Sequence, residues 1–173
     1  LFNHESPLRG ETFITQKIIK AVVKIHRKKQ DVLHVGNLDA KRDWGHAKDY
    51  VEGMWKIMQH NKPDDFVLAT GKAYTVREFI TKAFKMIDID IIWNGKDLEE
   101  QGIDSKTNKV LIKVDDSYFR PNEVGFLLGD YTKAKQVLGW EPKIDLDKLI
   151  EEMFEVELHN ENFSKIEFKE PIF

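Results

Sequence analysis

Segments of helical periodicity alternate along this chain with short apolar segments of strand character, and that alternation admits few architectures. Apolar residues fall at Ile14, Ile18, Val22 and Ile25, at spacings of four, four and three, which is one helix face. Residues 31–36 follow as a short strand with Val32, Leu33 and Val35 apolar, then a polar loop over 37–45. Ala47, Tyr50, Val51, Met54, Trp55 and Met58 mark a second helix, whose Met and Trp residues read as core. Residues 61–65 (NKPDD) form a turn, and 66–70 are apolar on both faces, as in a strand covered on each side. Thr75 and Glu78 have capping-box spacing ahead of a helix carrying Val76, Phe79, Ile80, Ala83, Phe84 and Ile87. Residues 89–93 predict a strand, 95–108 an aperiodic loop, and the alternation of Val110, Ile112 and Val114 a half-exposed strand. A short helix from Asp130 or Thr132 ends near Gly139, and Asp145 caps a last helix with Leu146, Leu149, Ile150 and Met153 on its buried face. The class is therefore α/β. The strands are too few and short for a whole doubly wound sheet. Residues 1–160 read as one unit and 161–173 as a patternless tail.

Several function classes fall away. The chain has no cysteine, which removes disulfides, thiolate metal sites and cysteine nucleophiles. Twenty-seven Lys and Arg oppose thirty Asp and Glu, so nothing resembles the basic footprint of a nucleic-acid binder. The densest cationic run, residues 26–29 (HRKK), is what a helix C-terminus favours. The longest unbroken apolar run is four residues, far short of a membrane helix. The chain opens on Leu1 without an initiator Met or a signal peptide, and reads as a piece of a longer protein entered at the end of a strand.

Motif searches are mostly negative. The six histidines include no His-x-x-x-His pair, so no zinc or other metal site is expected. There is no P-loop, no Gly-x-Gly-x-x-Gly and no Gly-x-Ser-x-Gly. Tyr131 and Lys135 fit the Tyr-x-x-x-Lys spacing, but they sit at the start of an amphipathic helix, where the match carries no further support. What remains is three polar loops, residues 3–10 (NHESPLRG), 41–46 (KRDWGH) and 118–123 (YFRPNE), each with one Arg near an aromatic residue or imidazole and a Pro or Gly that fixes the backbone. An Arg fork matches phosphate geometry bidentately, so three such loops could close around a diphosphate. The alternative is that these are ordinary surface arginines, and spacing alone favours it.

Taken together, these stretches resemble the C-terminal half of the GDP-mannose 4,6-dehydratase family, extended short-chain dehydrogenase/reductase enzymes. The similar segments are residues 1–10 (LFNHESPLRG), 36–51 (GNLDAKRDWGHAKDYV), 69–71 (ATG), 76–79 (VREF), 120–124 (RPNEV) and 129–135 (GDYTKAK). The 36–51 block is the most specific of them. The resemblance implies the last strands of an NAD(P)-binding Rossmann-like sheet plus a smaller substrate-binding α/β lobe. The glycine-rich NADP loop and the catalytic Thr, Glu, Tyr and Lys would lie outside this chain, so no catalytic residue is expected within it, and the chain alone is expected to be inactive.

In that chemistry a Tyr deprotonates the sugar 4-hydroxyl while hydride passes from C4 to NADP⁺. A Glu then takes the C5 proton as water leaves C6, and the hydride returns to C6. The sugar must stay in place between steps, held by its remote GDP handle. The resemblance places His4 and Arg9 near the cofactor, NADP. It places Asn3, Thr15, Lys17, Arg42, Arg120 and Glu123 around GDP-mannose. Gln16 stands where the family often has Arg, Leu8 where it often has Arg, and Asn122 where it often has Thr. It implies a cytoplasmic homo-oligomer, dimer or tetramer, as the full-length protein. Two other readings stay open: another NADP-dependent nucleotide-sugar epimerase or reductase, and a stand-alone nucleotide-sugar binding module.

Overall fold

The computed structural model describes residues 1–118 and 124–160. The tail over 161–173 lies outside the described residues, as do Arg120 and Glu123. The strands are β1 (Asn3–Glu5), β2 (Leu33–Val35), β3 (Lys41–Arg42), β4 (Trp44–His46), β5 (Tyr74–Thr75), β6 (Ile91–Asn94), β7 (Gln101–Asp104) and β8 (Val110–Val114). The helices are α1 (Ile14–His26), α2 (Ala47–Met58), α3 (Val76–Lys85), α4 (Thr132–Leu138) and α5 (Leu146–Asn160). The α/β class expected from the alternation is what forms.

Pairing divides the strands into three groups. β1 runs parallel to β4, β3 pairs antiparallel with β5, and a mixed sheet has the order β2-β8-β7-β6. In that sheet β2 and β8 are parallel, while β7 is antiparallel to both neighbours. The main core lies where α1, α3 and α5 pack on one another and on this sheet, with Ile18, Val22, Leu33, Phe79, Phe84, Ile112, Leu149 and Ile150 buried. A smaller cluster of Tyr50, Leu68, Ala134 and Trp140 sits between α2 and α4.

Local chemistry sets several boundaries where the sequence puts them. Thr75 Oγ1 accepts from Glu78 N at 3.0 Å and Glu78 Oε2 from Thr75 N at 2.7 Å, completing the capping box of α3. Asp145 Oδ1 accepts from Lys148 N at 2.9 Å at the start of α5. Gly139 closes α4 in the left-handed region, at φ 59°, which glycine adopts without a Cβ clash.

Five expectations are corrected. Residues 95–108 are not a plain loop: they hold a 3₁₀ turn (Asp97–Glu99) and β7, the strand between β6 and β8. The strand is hidden from pattern reading because Gln101, Gly102 and Asp104 occupy it. A Cβ on Gly102 would stand 2.7 Å from Ile112 Cδ1, so the polar, side-chain-poor sequence is what lets the strands approach.

The 37–45 loop contains β3 and the start of β4. β8 does not simply alternate, since Leu111 and Ile112 are both buried. Residues 66–70 form no named strand; Phe2 N donates to Leu68 O at 3.0 Å, but Val67 is exposed. Finally, α2 does not bury its Met and Trp face. It buries Asp49, Tyr50 and Gly53, because Leu68 and the Trp140 indole press directly on Gly53. No helix among the described residues is long and apolar enough to cross a membrane.

Candidate functional site

Three buried polar groups, none singled out by the sequence, organise the loops that carry the site residues. The first is Asp43, which is fully buried at the junction of β3 and β4. Its Oδ1 accepts from Thr70 N at 2.9 Å and Thr70 Oγ1 at 2.6 Å, and its Oδ2 from Gly71 N at 3.0 Å and Gly129 N at 3.2 Å. One carboxylate thus ties the Arg42 strand to residues 70–71 and to residue 129. Amide dipoles surround the charge, which is how an ion with no cation partner among the described residues becomes tolerable in an interior.

The second is Glu5, also buried, at the end of β1. Thr15 Oγ1 donates to its Oε2 at 2.6 Å, and Arg9 Nε lies 3.1 Å from the same oxygen. That contact is within ion-pair range but misaligned, so Arg9 Nε has no hydrogen-bond acceptor among the described residues. Burial pushes the Glu5 carboxyl above the ordinary carboxylate range, against the opposing pull of Thr15, Arg9 and His4. The third is His46. Its Nδ1 accepts from Lys48 N at 3.0 Å, capping α2, so its proton is assigned to Nε2, which donates to Glu152 Oε2 at 2.9 Å. Lys48 first, and His46 with it, hold the Glu152 carboxyl below its usual range.

Against this frame the sequence candidates separate. Thr15 is buried and spends its hydroxyl on Glu5. Arg9 stacks on Phe13, its Cζ 3.4 Å from the ring centroid, and faces Glu5, so its guanidinium braces its own loop. His4 bonds Phe2 O through Nδ1 at 3.0 Å and leans on Tyr50, with ring centroids 5.6 Å apart. Asn3 is half-buried in β1.

Lys17 and Arg42 come nearest to acting together. Lys17 Nζ sits 3.3 Å from the Tyr118 ring centroid, and Arg42 Nη1 donates to Val124 O at 2.6 Å. Tyr118 and Val124 are the described residues on either side of the segment that carries Arg120 and Glu123. Backbone bonds reinforce this: Lys41 N donates to Gly125 O at 2.8 Å and Leu127 N to Lys41 O at 3.0 Å. Gly36 lets the same segment approach, since a Cβ there would meet Tyr118 O at 2.4 Å.

Two clefts open on the described surface. One of ≈ 250 Å³ is lined by Trp44, Thr70, Lys72, Tyr74, Tyr131 and Lys143, among others, and one of ≈ 210 Å³ by Asn37, Asp39, Asp97 and Glu100 among others. Neither is lined by Asn3, His4, Arg9, Thr15, Lys17 or Arg42. Arg77 bonds both Asp39 and Glu100, which balances much of the acidity of the second cleft. The Tyr131 and Lys135 pair has structural partners: Tyr131 packs edge-on against Trp140 and Lys135 pairs with Glu141 at 2.5 Å. Among the described residues no cluster of three or more His, Asp or Glu could hold a metal ion.

Residues 1–153 match the family model described as GDP-mannose 4,6 dehydratase. The chain is 52% identical over 164 residues to the GDP-mannose 4,6 dehydratase of Homo sapiens, covering 94% of this chain and 44% of that protein. It is 54% identical over 158 residues to the GDP-mannose 4,6-dehydratase of Sinorhizobium fredii (strain HH103), covering 91% and 45%. The chain thus spans about half the length of the curated relatives it matches. Among solved structures it is similar to RMD from Pseudomonas aeruginosa complexed with NADPH, with a TM-score of 0.74 at 16% identity over 91% of this chain and 46% of that one. It is also similar to dTDP-glucose 4,6-dehydratase from Bacillus anthracis in complex with NAD, with a TM-score of 0.68 at 13% identity over 93% and 43%. At such identities the likeness shows the fold alone.

Proposed function

Since the chain belongs to the GDP-mannose 4,6-dehydratase family, we propose that it forms the nucleotide-sugar-gripping half of an enzyme that converts GDP-mannose to GDP-4-dehydro-6-deoxy-mannose with NADP. The observation that carries the reading is the match over residues 1–153 together with about half identity to relatives of that name. The geometry supports the division of labour. Lys17 contacts Tyr118 and Arg42 bonds Val124, the described residues that flank 119–123, and in this reading both cations would serve a diphosphate held beside that segment.

NADP, when bound, would supply the hydride acceptor and donor. The described residues fit an indirect part in holding it: Arg9 is already turned onto Glu5 and Phe13, so it would shape the loop after β1. His4, half-buried against Tyr50 in β1, would in this reading be the residue of this chain that meets the dinucleotide. The buried carboxylates Asp43 and Glu5 act as anchors, fixing loop positions so that the sugar is held through successive proton movements.

The test is Arg42→Ala in the full-length protein. Charge-assisted hydrogen bonds of this kind contribute about 1.5–3 kcal/mol, or roughly 10- to 150-fold in Kd. Isothermal titration should show that loss for GDP-mannose and little change for NADP. An unaltered GDP-mannose Kd makes Arg42 a loop brace for Val124 and removes it from the substrate site.

A further inference from the structure

The cleft of ≈ 250 Å³ brings together three segments distant in sequence: residues 70–74, Tyr131 and 142–146. Two buried carboxylates hold these walls. Asp43 fixes Thr70 N and Gly71 N on one side and Gly129 N, two residues before Tyr131, on the other. Asp49 accepts through Oδ2 from Lys143 N at 2.9 Å and Ile144 N at 3.0 Å. Gly71 lets the first two walls meet: at φ 71° it sits in the left-handed region, and a Cβ there would stand 3.1 Å from Tyr131 Cε1. The cleft is thus shaped by the fold, so a ligand need not bear the cost of ordering it.

Two of the charged groups on its walls are already committed. Lys143 pairs with Glu52 at 2.7 Å, and Asp145 caps α5. Lys72 is bonded through its backbone alone, to Thr70 Oγ1, and its ammonium has no partner among the described residues. The Tyr74 and Tyr131 hydroxyls have none among them either. The cleft therefore offers one unspent cation and two unspent phenols beside the apolar surface of the tyrosine rings, Pro142 and Ile144. Its volume lies just under the roughly 300–1,000 Å³ of pockets for drug-sized ligands, which suits a single sugar ring and excludes a whole dinucleotide. We infer that this cleft binds a monosaccharide bearing one anionic group, a phosphate or a carboxylate. The C–H face of the sugar lies on the tyrosine rings, its hydroxyls meet the phenols, and the anion meets Lys72. Lysine is a point charge without a fork, so it accepts either anion. None of the described residues that the family resemblance assigns to nucleotide sugar or cofactor lines this cleft, and the inference is independent of the dehydratase reading.

The test is saturation-transfer-difference NMR on the full-length protein with mannose 6-phosphate, glucose 6-phosphate, mannose 1-phosphate and glucuronate. At least one of them binds, with saturation strongest at its ring C–H protons, and keeps its signal under saturating GDP-mannose. Lys72→Met, at an exposed position, lowers that affinity about tenfold or more, as loss of a charge-assisted contact requires, while an unchanged melting temperature shows the variant folded. Tyr131→Phe keeps the ring and lowers it less. No signal from any of the four overturns the inference, and so does wild-type affinity in Lys72→Met. Displacement of every probe by GDP-mannose assigns them to the nucleotide-sugar site and overturns it too. Mannose lacks the charge, inorganic phosphate the ring and benzoate the hydroxyls; any of these binding as tightly as the best anionic sugar refutes the ligand class. Because the readout needs no turnover, failure of the dehydratase reading leaves this result intact.

Discussion

An Asp43→Asn substitution preserves the shape of a fully buried side chain and removes half of its accepting capacity. Four donors point at the carboxylate, two at each oxygen, and an amide can offer its oxygen to one pair only. With the amide nitrogen toward Gly71 N and Gly129 N, two backbone N–H groups face a donor. With it toward Thr70, one does, because the Thr70 hydroxyl can accept from the amide and turn its proton to Lys72 O, 3.2 Å away. The second arrangement is the cheaper. A buried donor without an acceptor costs about 1–3 kcal/mol, and Thr70, being partly exposed, lies at the low end through hydration. Exchanging charge-assisted for neutral bonds to Gly71 and Gly129 costs about 1 kcal/mol more. The expected loss is about 2–3 kcal/mol. Equilibrium urea unfolding of the full-length protein reads it as a lower midpoint at unchanged slope. A loss below about 0.5 kcal/mol, the scatter of ordinary surface substitutions, would refute the view that this carboxylate ties three segments together.

Two further outcomes follow from the other buried groups. The folded state holds the Glu5 proton more tightly than the unfolded chain, so its contribution falls as pH rises from 4.5 through the raised folded value. Wild type should therefore lose stability relative to Glu5→Gln as pH rises across that window; urea midpoints that run parallel for the two proteins contradict the assignment. Removing the cap in His46→Ala should cost about 1–2 kcal/mol, and His46→Asn, which retains an N-cap acceptor but not the Glu152 contact, should recover part of it. Identical melting temperatures for the two variants would show that the capping bond contributes nothing.

What the sequence determined by itself was local or carried by contiguous blocks. Helical spacing located α1, α2, α3 and α5, end signals located α4, and the Thr75–Glu78, Asp145 and Gly139 signals marked helix ends, because a cap is a bond between residues three or four apart. Family membership was legible in blocks such as residues 36–51, which are continuous in the chain.

What only the tertiary structure decided depends on neighbours distant in sequence. Glycine and polar residues read as a loop, yet residues 101–104 became an inner strand because β6 and β8 supply its hydrogen bonds on both sides. The buried face of α2 was set by Leu68 and Trp140 closing on Gly53, which turned its Met and Trp residues outward against the prior from composition. Arg9 looked the same in sequence as Arg42, but one is drawn onto its neighbour Glu5 and the other reaches Val124. Asp43 gave no local signal at all, since the amides that make a buried carboxylate tolerable come from residues 70, 71 and 129, which only the folded chain brings to it.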